Sequence, residues 1–433
     1  MMNNHDVHDG SSNVRNVMND FLGIESHREA CRYQIESVIG EGAYGVVCSA
    51  KDNKDGRMVA VKRMKDVFKA IPEAVRILRE LKFDRILTNH ENIVSITDVM
   101  LPRNRMEFHD VYAVFELFPS DLYRVLRAKV PLSAEHIRWI MYQIVRAVFY
   151  IHSANIFHRD LKPSNVLLNE DCDVRVCDFG LARAAFDNAP DLLFWTDYVA
   201  TRWYRAPELI LSYYTSYSTA IDVWAIGCIF AEILGHGRPL FPGKSANHQL
   251  ELFVSVIGSP SPASIQHVRD ERARAYLVSL GRQPPKGFET LFPDAHPLAC
   301  DLLKGLLEWN PDLRLTAQEA LRHPYFSGIH DVSFERTAQP VDPQEFAFEQ
   351  SRLSVDLIKE EFLKEIVQHY HPEAATRFYT ASGQILHESG GHHLEQQSAA
   401  DRFRQMMRNK ELGYSERNLD SMPNYDISGS QLP

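Results

Sequence analysis

Residues 39–47 read IGEGAYGVV, which sets Gly40, Gly42 and Gly45 in a GxGxxG spacing with Val47 two places beyond the last glycine. This spacing suits a chain whose backbone amides approach a polyphosphate, because a side chain at any of the three positions would block that approach. The same spacing serves dinucleotide-binding turns, where an acidic residue about 20 positions on takes the ribose, and glycines also punctuate ordinary hairpins. The motif by itself leaves all three readings open.

The surrounding chain narrows them. Residues 33 to about 63 alternate apolar and polar residues around Gly and Asp turns, in YQIESVI, GVVCSAK, DNKDG and MVAVKRM, which predicts a hairpin followed by a third strand. IPEAVRILREL then predicts a helix with Pro72 in its first turn and Ile71, Val75, Leu78 and Leu81 on one face. VYAVFEL has the pattern of a buried strand, and SAEHIRWIMYQIVRAVFYIHSA and TAIDVWAIGCIFAEILG those of long helices. The small half is therefore strand-rich and the large half helical. From about residue 373 onward Gly, Ser, Gln and His mix without steady period, the composition of a disordered tail.

The chain has 433 residues, 45% hydrophobic and 24% charged, which is the balance of a globular protein large enough for two lobes. A formal net charge of -10 gives no electrostatic reason to expect nucleic-acid or anionic-membrane partners. No apolar run approaches a membrane span, and MMNNHDVHDG is polar and acidic where a signal peptide would be basic and then apolar, so an intracellular location is expected. Cys31, Cys48, Cys172, Cys177, Cys228 and Cys300 form no CxxC pair, and free thiols are expected.

Downstream of the glycines come VAVK at 59–62, HRDLKPSN from His158 to Asn165, DFG from Asp178 to Gly180 and APE from Ala206 to Glu208. Taken singly, a strand lysine reads as a solvated edge residue and a loop aspartate as a turn former. In this order and at these separations the elements resemble the eukaryotic protein kinase signature set, and YRAPE with DVWAIGCIFAE extends the likeness into the large half. The resemblance implies an α+β, bilobal fold and assigns the glycines to ATP.

It also implies roles in phosphoryl transfer. ATP would lie against Ile39, Gly40, Glu41, Gly42, Ala43, Gly45, Val47 and Ala60, with Glu116 and Phe118 at the hinge. Lys62 would bridge the α- and β-phosphates, held by Glu80. Asp178 and Asn165 would hold Mg²⁺, Asp160 would be the base for the substrate hydroxyl, and Lys162 would stabilise the transferring group. His158 and Phe179 read as packing residues, and Arg314 resembles the family's buried partner of the APE glutamate, Glu208. Cys177, next to Asp178, is expected at the back of the ATP pocket with a raised pKa.

FWTDYVATRWYRAPE carries Thr196 and Tyr198 around one aspartate, which resembles the TxY activation lip of mitogen-activated protein kinases, TDY subgroup. The likeness covers about residues 33 to 372 and includes the SVDLIKEEFLKEIVQHYHP helix. It implies a proline-directed serine/threonine kinase activated when Thr196 and Tyr198 are both phosphorylated. Arg79, Arg159 and Arg183 match the receivers of the phosphothreonine, Arg202 and Arg205 those of the phosphotyrosine, and Thr201 a partner of Asp160 and Lys162. Implied partners are an upstream dual-specificity mitogen-activated protein kinase kinase, phosphatases and proteins with Ser-Pro or Thr-Pro sites. A monomer, cytoplasmic and also nuclear, is expected. A catalytically inactive kinase-fold scaffold is the alternative, but such a chain is expected to have lost Lys62, Asp160 or Asp178.

The implied layout is a polar segment at 1–32, a small lobe at 33–115, a hinge at 116–121 and a large lobe at 122–327. The large lobe holds the lip at 178–208 and an insert at about 258–290. An extension at 328–372 folds back on the lobes, and a disordered tail occupies 373–433. Two features depart from the family pattern. ELKFDRILTNH looks one residue long and sets Asp84 one turn after Glu80, where an apolar residue is expected; a shift of helical register is the favoured explanation. The acidic docking patch is thin, with Asp331 and Glu335 flanking Phe334.

Overall fold

The computed structural model describes residues 32–42, 45–185, 202–211, 218–266, 268 and 270–379. Cys31, Ala43, Thr196, Tyr198 and Thr201, the segment at 1–31 and the tail from 380 lie outside the described residues. Contacts divide the chain into two units, Met1–Ala375 and Thr376–Pro433, and the architecture below is that of the first.

The alternating stretch around the glycines forms β1 (Tyr33–Gly42), β2 (Gly45–Asp52) and β3 (Met58–Met64). With β4 (Ile96–Val99) and β5 (Val111–Glu116) they make an antiparallel sheet in the order β1-β2-β3-β5-β4. One face buries Val46, Cys48, Ala50, Val59, Val61, Tyr112 and Val114. Gly45 has φ +147°, and a Cβ there would sit 1.8 Å from the Arg63 carbonyl oxygen, so strand pairing itself demands glycine at this position. At Gly40 a Cβ would meet only Val47, at an ordinary 3.8 Å. Strand pairing thus requires glycine at position 45 whether or not a phosphate approaches, while at position 40 the strands themselves leave room for a side chain.

Helix α1 (Ile71–Leu87) begins with Pro72 in its first turn, as the sequence predicts. The expected apolar face is only part of the burial: Leu78 and Leu81 are buried and Ile71 and Val75 half-buried, yet every residue from Ile77 to Asp84 is buried. The cause is a second covering layer. A 3₁₀ segment (Pro343–Gln350) sets Phe346 4.8 Å, ring to ring, from Phe83, and helix α2 (Val355–His369) sets Phe362 5.2 Å from Phe68 just ahead of α1. His371 ends this extension by donating to the Val99 carbonyl at 2.9 Å, with Asp98 Oδ1 at 3.1 Å.

The large half is built on α3 (Ala134–Ser153), capped by Ser133, and on α4 (Ala220–Leu234), the two long helices foreseen from the sequence. Trp224 of α4 stacks on Phe241 at 5.9 Å and meets Phe253 edge-on at 5.0 Å. Arg314 clasps Glu208 at 2.7 and 3.0 Å and lies over the Trp224 ring, the buried pair that the family likeness implied. Five of the cysteines are described and are free thiols. Among the described residues no helix is long and apolar enough to cross a membrane.

The expected register shift near Asp84 does not occur. Helix α1 runs unbroken through Leu87, so Asp84 stands one turn beyond Glu80 with 1% of its surface exposed and Oδ2 without a hydrogen-bond partner. Burial first, and then the Glu80 carboxylate, push its pKa well above the usual range, with Lys62 opposing, which favours the neutral acid. The stability contributed by such a group is complete below its unfolded pKa of about 3.9 and is lost as pH rises toward the folded value, by up to about 1.4 kcal/mol per pH unit. Asp84→Asn cannot ionise and removes that slope. Urea denaturation between pH 4 and 7 should therefore show the variant gaining on the wild type as pH rises; parallel curves would contradict a neutral Asp84.

Candidate active site

Strand β3 and helix α1 deliver the first pair. Lys62 lies in the middle of β3, opposite Val47 on one side and Ala113 on the other, and its Nζ bonds Glu80 Oε1. Burial works against the charge on Lys62, but Glu80 and Asp178 outweigh it and hold the ammonium above its ordinary range. Ala60 is buried beside Lys62 in β3, and Ile39 offers its carbonyl to Arg124 at 2.8 Å. Glu116, at the end of β5, accepts from Ser95 N at 2.8 Å and Arg175 Nε at 3.2 Å. The Arg175 guanidinium lies 5.2 Å from the centre of the Phe118 ring.

The loop after α3 delivers the second group. Lys162 Nζ is 2.6 Å from Asp160 Oδ2. Asn165 Nδ2 donates to the Asp160 carbonyl at 2.9 Å and to its Oδ2 at 3.3 Å, which leaves the Asn165 amide oxygen as an acceptor. Burial raises the pKa of Asp160 despite Lys162. Burial works against the charge on the half-buried Asp178, but Lys62 and Lys162 outweigh it and hold its pKa below the ordinary value, so the two aspartates are driven apart: Asp178 stays an anion and Asp160 becomes more basic. Burial and then Asp178 push the Cys177 thiol well up. His158 is fully buried, with Nε2 3.0 Å from the Cys177 carbonyl and its ring 5.0 Å from Phe179.

Sequence reasoning passed over the residue that shapes this loop. Asp222 of α4, 1% exposed, accepts from the backbone amides of His158 and Arg159 at 2.8 Å each, and His152 Nε2 lies 3.0 Å away. Arg159 carries φ 69° and Asp178 also φ 69°, left-handed backbone that costs roughly 1–3 kcal/mol per residue and persists where the surroundings fix it. The signal was one acidic residue opening the otherwise apolar run DVWAIGCIF.

The arginines assigned to the lip phosphates gather in part. Burial, and then the charges of Arg79 and Arg159, push Arg183 down to about 9. Arg79 is already engaged: its Nε and Nη2 donate to Glu349 at 2.7 and 2.9 Å. Arg202, exposed, opens the short turn Arg202–Tyr204, and Arg205, half-buried, follows it. Of the two acids read as a thin docking patch, Glu335 accepts from Arg322 at 3.0 and 2.9 Å with its side chain 7% exposed, and Asp331, which is exposed, caps its own turn by accepting from Ser333 N at 2.8 Å.

Comparison with known proteins gives this geometry its family. The model described as "Protein kinase domain" matches residues 33–326. The chain is 49% identical over 373 residues to "Mitogen-activated protein kinase 14" of Oryza sativa subsp. japonica, an alignment that spans 86% of this chain and 68% of that one. It is 48% identical over 373 residues to "Mitogen-activated protein kinase 8" of Arabidopsis thaliana, spanning 86% of this chain and 63% of the relative. It is 49% identical over 389 residues to "Mitogen-activated protein kinase 13" of Oryza sativa subsp. indica, spanning 89% and 74%. A domain match across most of the chain and near-half identity to these relatives place the chain among the mitogen-activated protein kinases, a family of serine/threonine protein kinases.

Proposed function

We propose that this kinase transfers the γ-phosphate of ATP to serine or threonine followed by proline, and that it does so after phosphorylation of Thr196 and Tyr198 by a dual-specificity mitogen-activated protein kinase kinase. Phosphatases reverse the switch, and the enzyme acts as a monomer in the cytoplasm or nucleus. The protein kinase domain implies ATP as donor. The observation that carries the catalytic part is the convergence of Lys62 on Glu80 and of Lys162 and Asn165 on Asp160, with Asp178 charged beside them.

In this reading Lys62, held by Glu80, meets the α- and β-phosphates beneath the glycine-bearing ends of β1 and β2. Asp160 orients the substrate hydroxyl and takes its proton, a task suited to a carboxylate whose basicity burial has raised. Lys162, at 2.6 Å from Asp160, stabilises charge on the transferring group. The Asp178 carboxylate and the Asn165 amide oxygen are hard oxygen donors that fit Mg²⁺, an ion that completes its shell with phosphate and water rather than with a protein cage. Bound Mg²⁺ supplies neutralisation of the β- and γ-phosphate charge.

Two outcomes are expected. Asp178→Asn or Lys62→Met should lower turnover of a Ser-Pro peptide by a factor on the order of 10³ or more while leaving the melting transition in place; retained turnover in the activated variants removes these site assignments. Thr196→Ala should lose about 10- to 100-fold of the activity gained on treatment with an upstream kinase, since each charge-assisted bond to the phosphate is worth about 1.5–3 kcal/mol. An active species whose mass spectrum shows an unmodified lip would refute the switch.

A further inference from the structure

Helix α1 must stay in place for Glu80 to reach Lys62, and three of its cations end on carboxylates of the extension. Arg85 bonds Glu365 and, at 2.7 Å, Glu345. Lys82 bonds Glu365 at 3.0 Å and Glu345 at 3.3 Å. Arg79 holds Glu349 in a two-pronged pair at 2.7 and 2.9 Å. Exposure sets one of the three carboxylates apart. The Glu365 side chain is 1% exposed and cannot leave without stranding a buried charge, whereas Glu345 at 30% and Glu349 at 28% reach water, and of these two it is Glu349 that pairs with Arg79.

Arg79 is also one of the residues assigned to the Thr196 phosphate. Around it, Arg183 is depressed by burial, Arg79, Arg159 and Arg76, and Glu349 is the acid that opposes this. We propose that Glu349 is a positioning residue that stands in for the lip phosphate: its carboxylate holds Arg79 in the unmodified chain and yields Arg79 when Thr196 is phosphorylated. The inference rests on the reading above that Arg79, Arg159 and Arg183 receive that phosphate. A carboxylate brings one charge and two oxygens, which a single guanidinium fork consumes. A phosphate brings nearly two charges and three acceptor oxygens, enough for Arg79 and its arginine neighbours together, so it wins the exchange. Helix α1 keeps Glu345 and Glu365 throughout, so Glu80 stays on Lys62 while Arg79 changes partner.

The test compares Glu349→Gln with the wild-type chain, each unmodified and doubly phosphorylated, and repeats the comparison in an Arg79→Ala background. Glutamine keeps the shape of the side chain and removes its charge. Glu349→Gln should lower the melting temperature of the unmodified chain by about 2 °C and leave that of the phosphorylated chain unchanged. It should also slow removal of phosphate from Thr196 by a serine/threonine phosphatase by about three- to tenfold, because the competitor for Arg79 is gone. Both effects should vanish with Arg79→Ala. Equal destabilisation of the two forms with an unchanged phosphatase rate overturns the proposal and makes Glu349 a fixed part of the fold. If Arg79→Ala alone leaves the phosphorylated chain's melting temperature and phosphatase rate untouched, the phosphate does not use Arg79, and the parent reading fails first.

Discussion

The ion pair between Lys62 and Glu80 is the constraint on which the rest of the molecule converges. It joins a strand to a helix, so it forms only when sheet and helix are held at one separation. The sheet fixes Lys62 through pairing on both sides of β3. The helix has no comparable ladder; it is held by packing of Phe83 on Phe346 and by the carboxylates of the extension. A segment far along the chain therefore sets the geometry of the Lys62–Glu80 pair.

The large half solves a parallel problem with a single side chain. Asp222 takes two consecutive backbone amides of the loop that carries Asp160, and that grip keeps Arg159 in left-handed backbone and presents Asp160 to Lys162 and Asn165. A buried aspartate that is fully hydrogen-bonded rigidifies its surroundings, while one left with a bare oxygen costs stability. Asp222 and Asp84 are the two cases in one protein. The second lies near the Glu80 and Asp178 carboxylates, where a raised pKa limits the negative charge that three acids would otherwise bring together.

What the sequence discloses follows from whether a signal is local. Strand alternation around 33–63, Pro72 and the long apolar periods of α3 and α4 are local, and each led to the right element. Lys62, Asp160, Asn165 and Asp178 stood out because their order along the chain is itself a pattern, and the fold sets Lys62 on Glu80 and Asn165 on Asp160. The face of α1 was misjudged because periodicity counts one buried side, and the second covering comes from 343–369. The register at Asp84 was misjudged because a buried acid looks improbable until its neighbours are known. Glu345, Glu349 and Glu365 were invisible for the same reason: in the sequence they are ordinary surface acids, and only the fold sets them against Arg79, Lys82 and Arg85.

The claim that the extension holds helix α1, and through it the Lys62–Glu80 pair, is tested most directly by amide hydrogen exchange. Glu365→Gln removes the most buried of the anchoring charges, one shared by Lys82 and Arg85. Exchange in residues 77–87 should then speed up by an order of magnitude or more, as the loss of a buried ion-pair partner implies, while exchange in α4 of the large half stays as in the wild type. Unchanged exchange across 77–87 would mean that the sheet alone holds the helix, and would contradict the account.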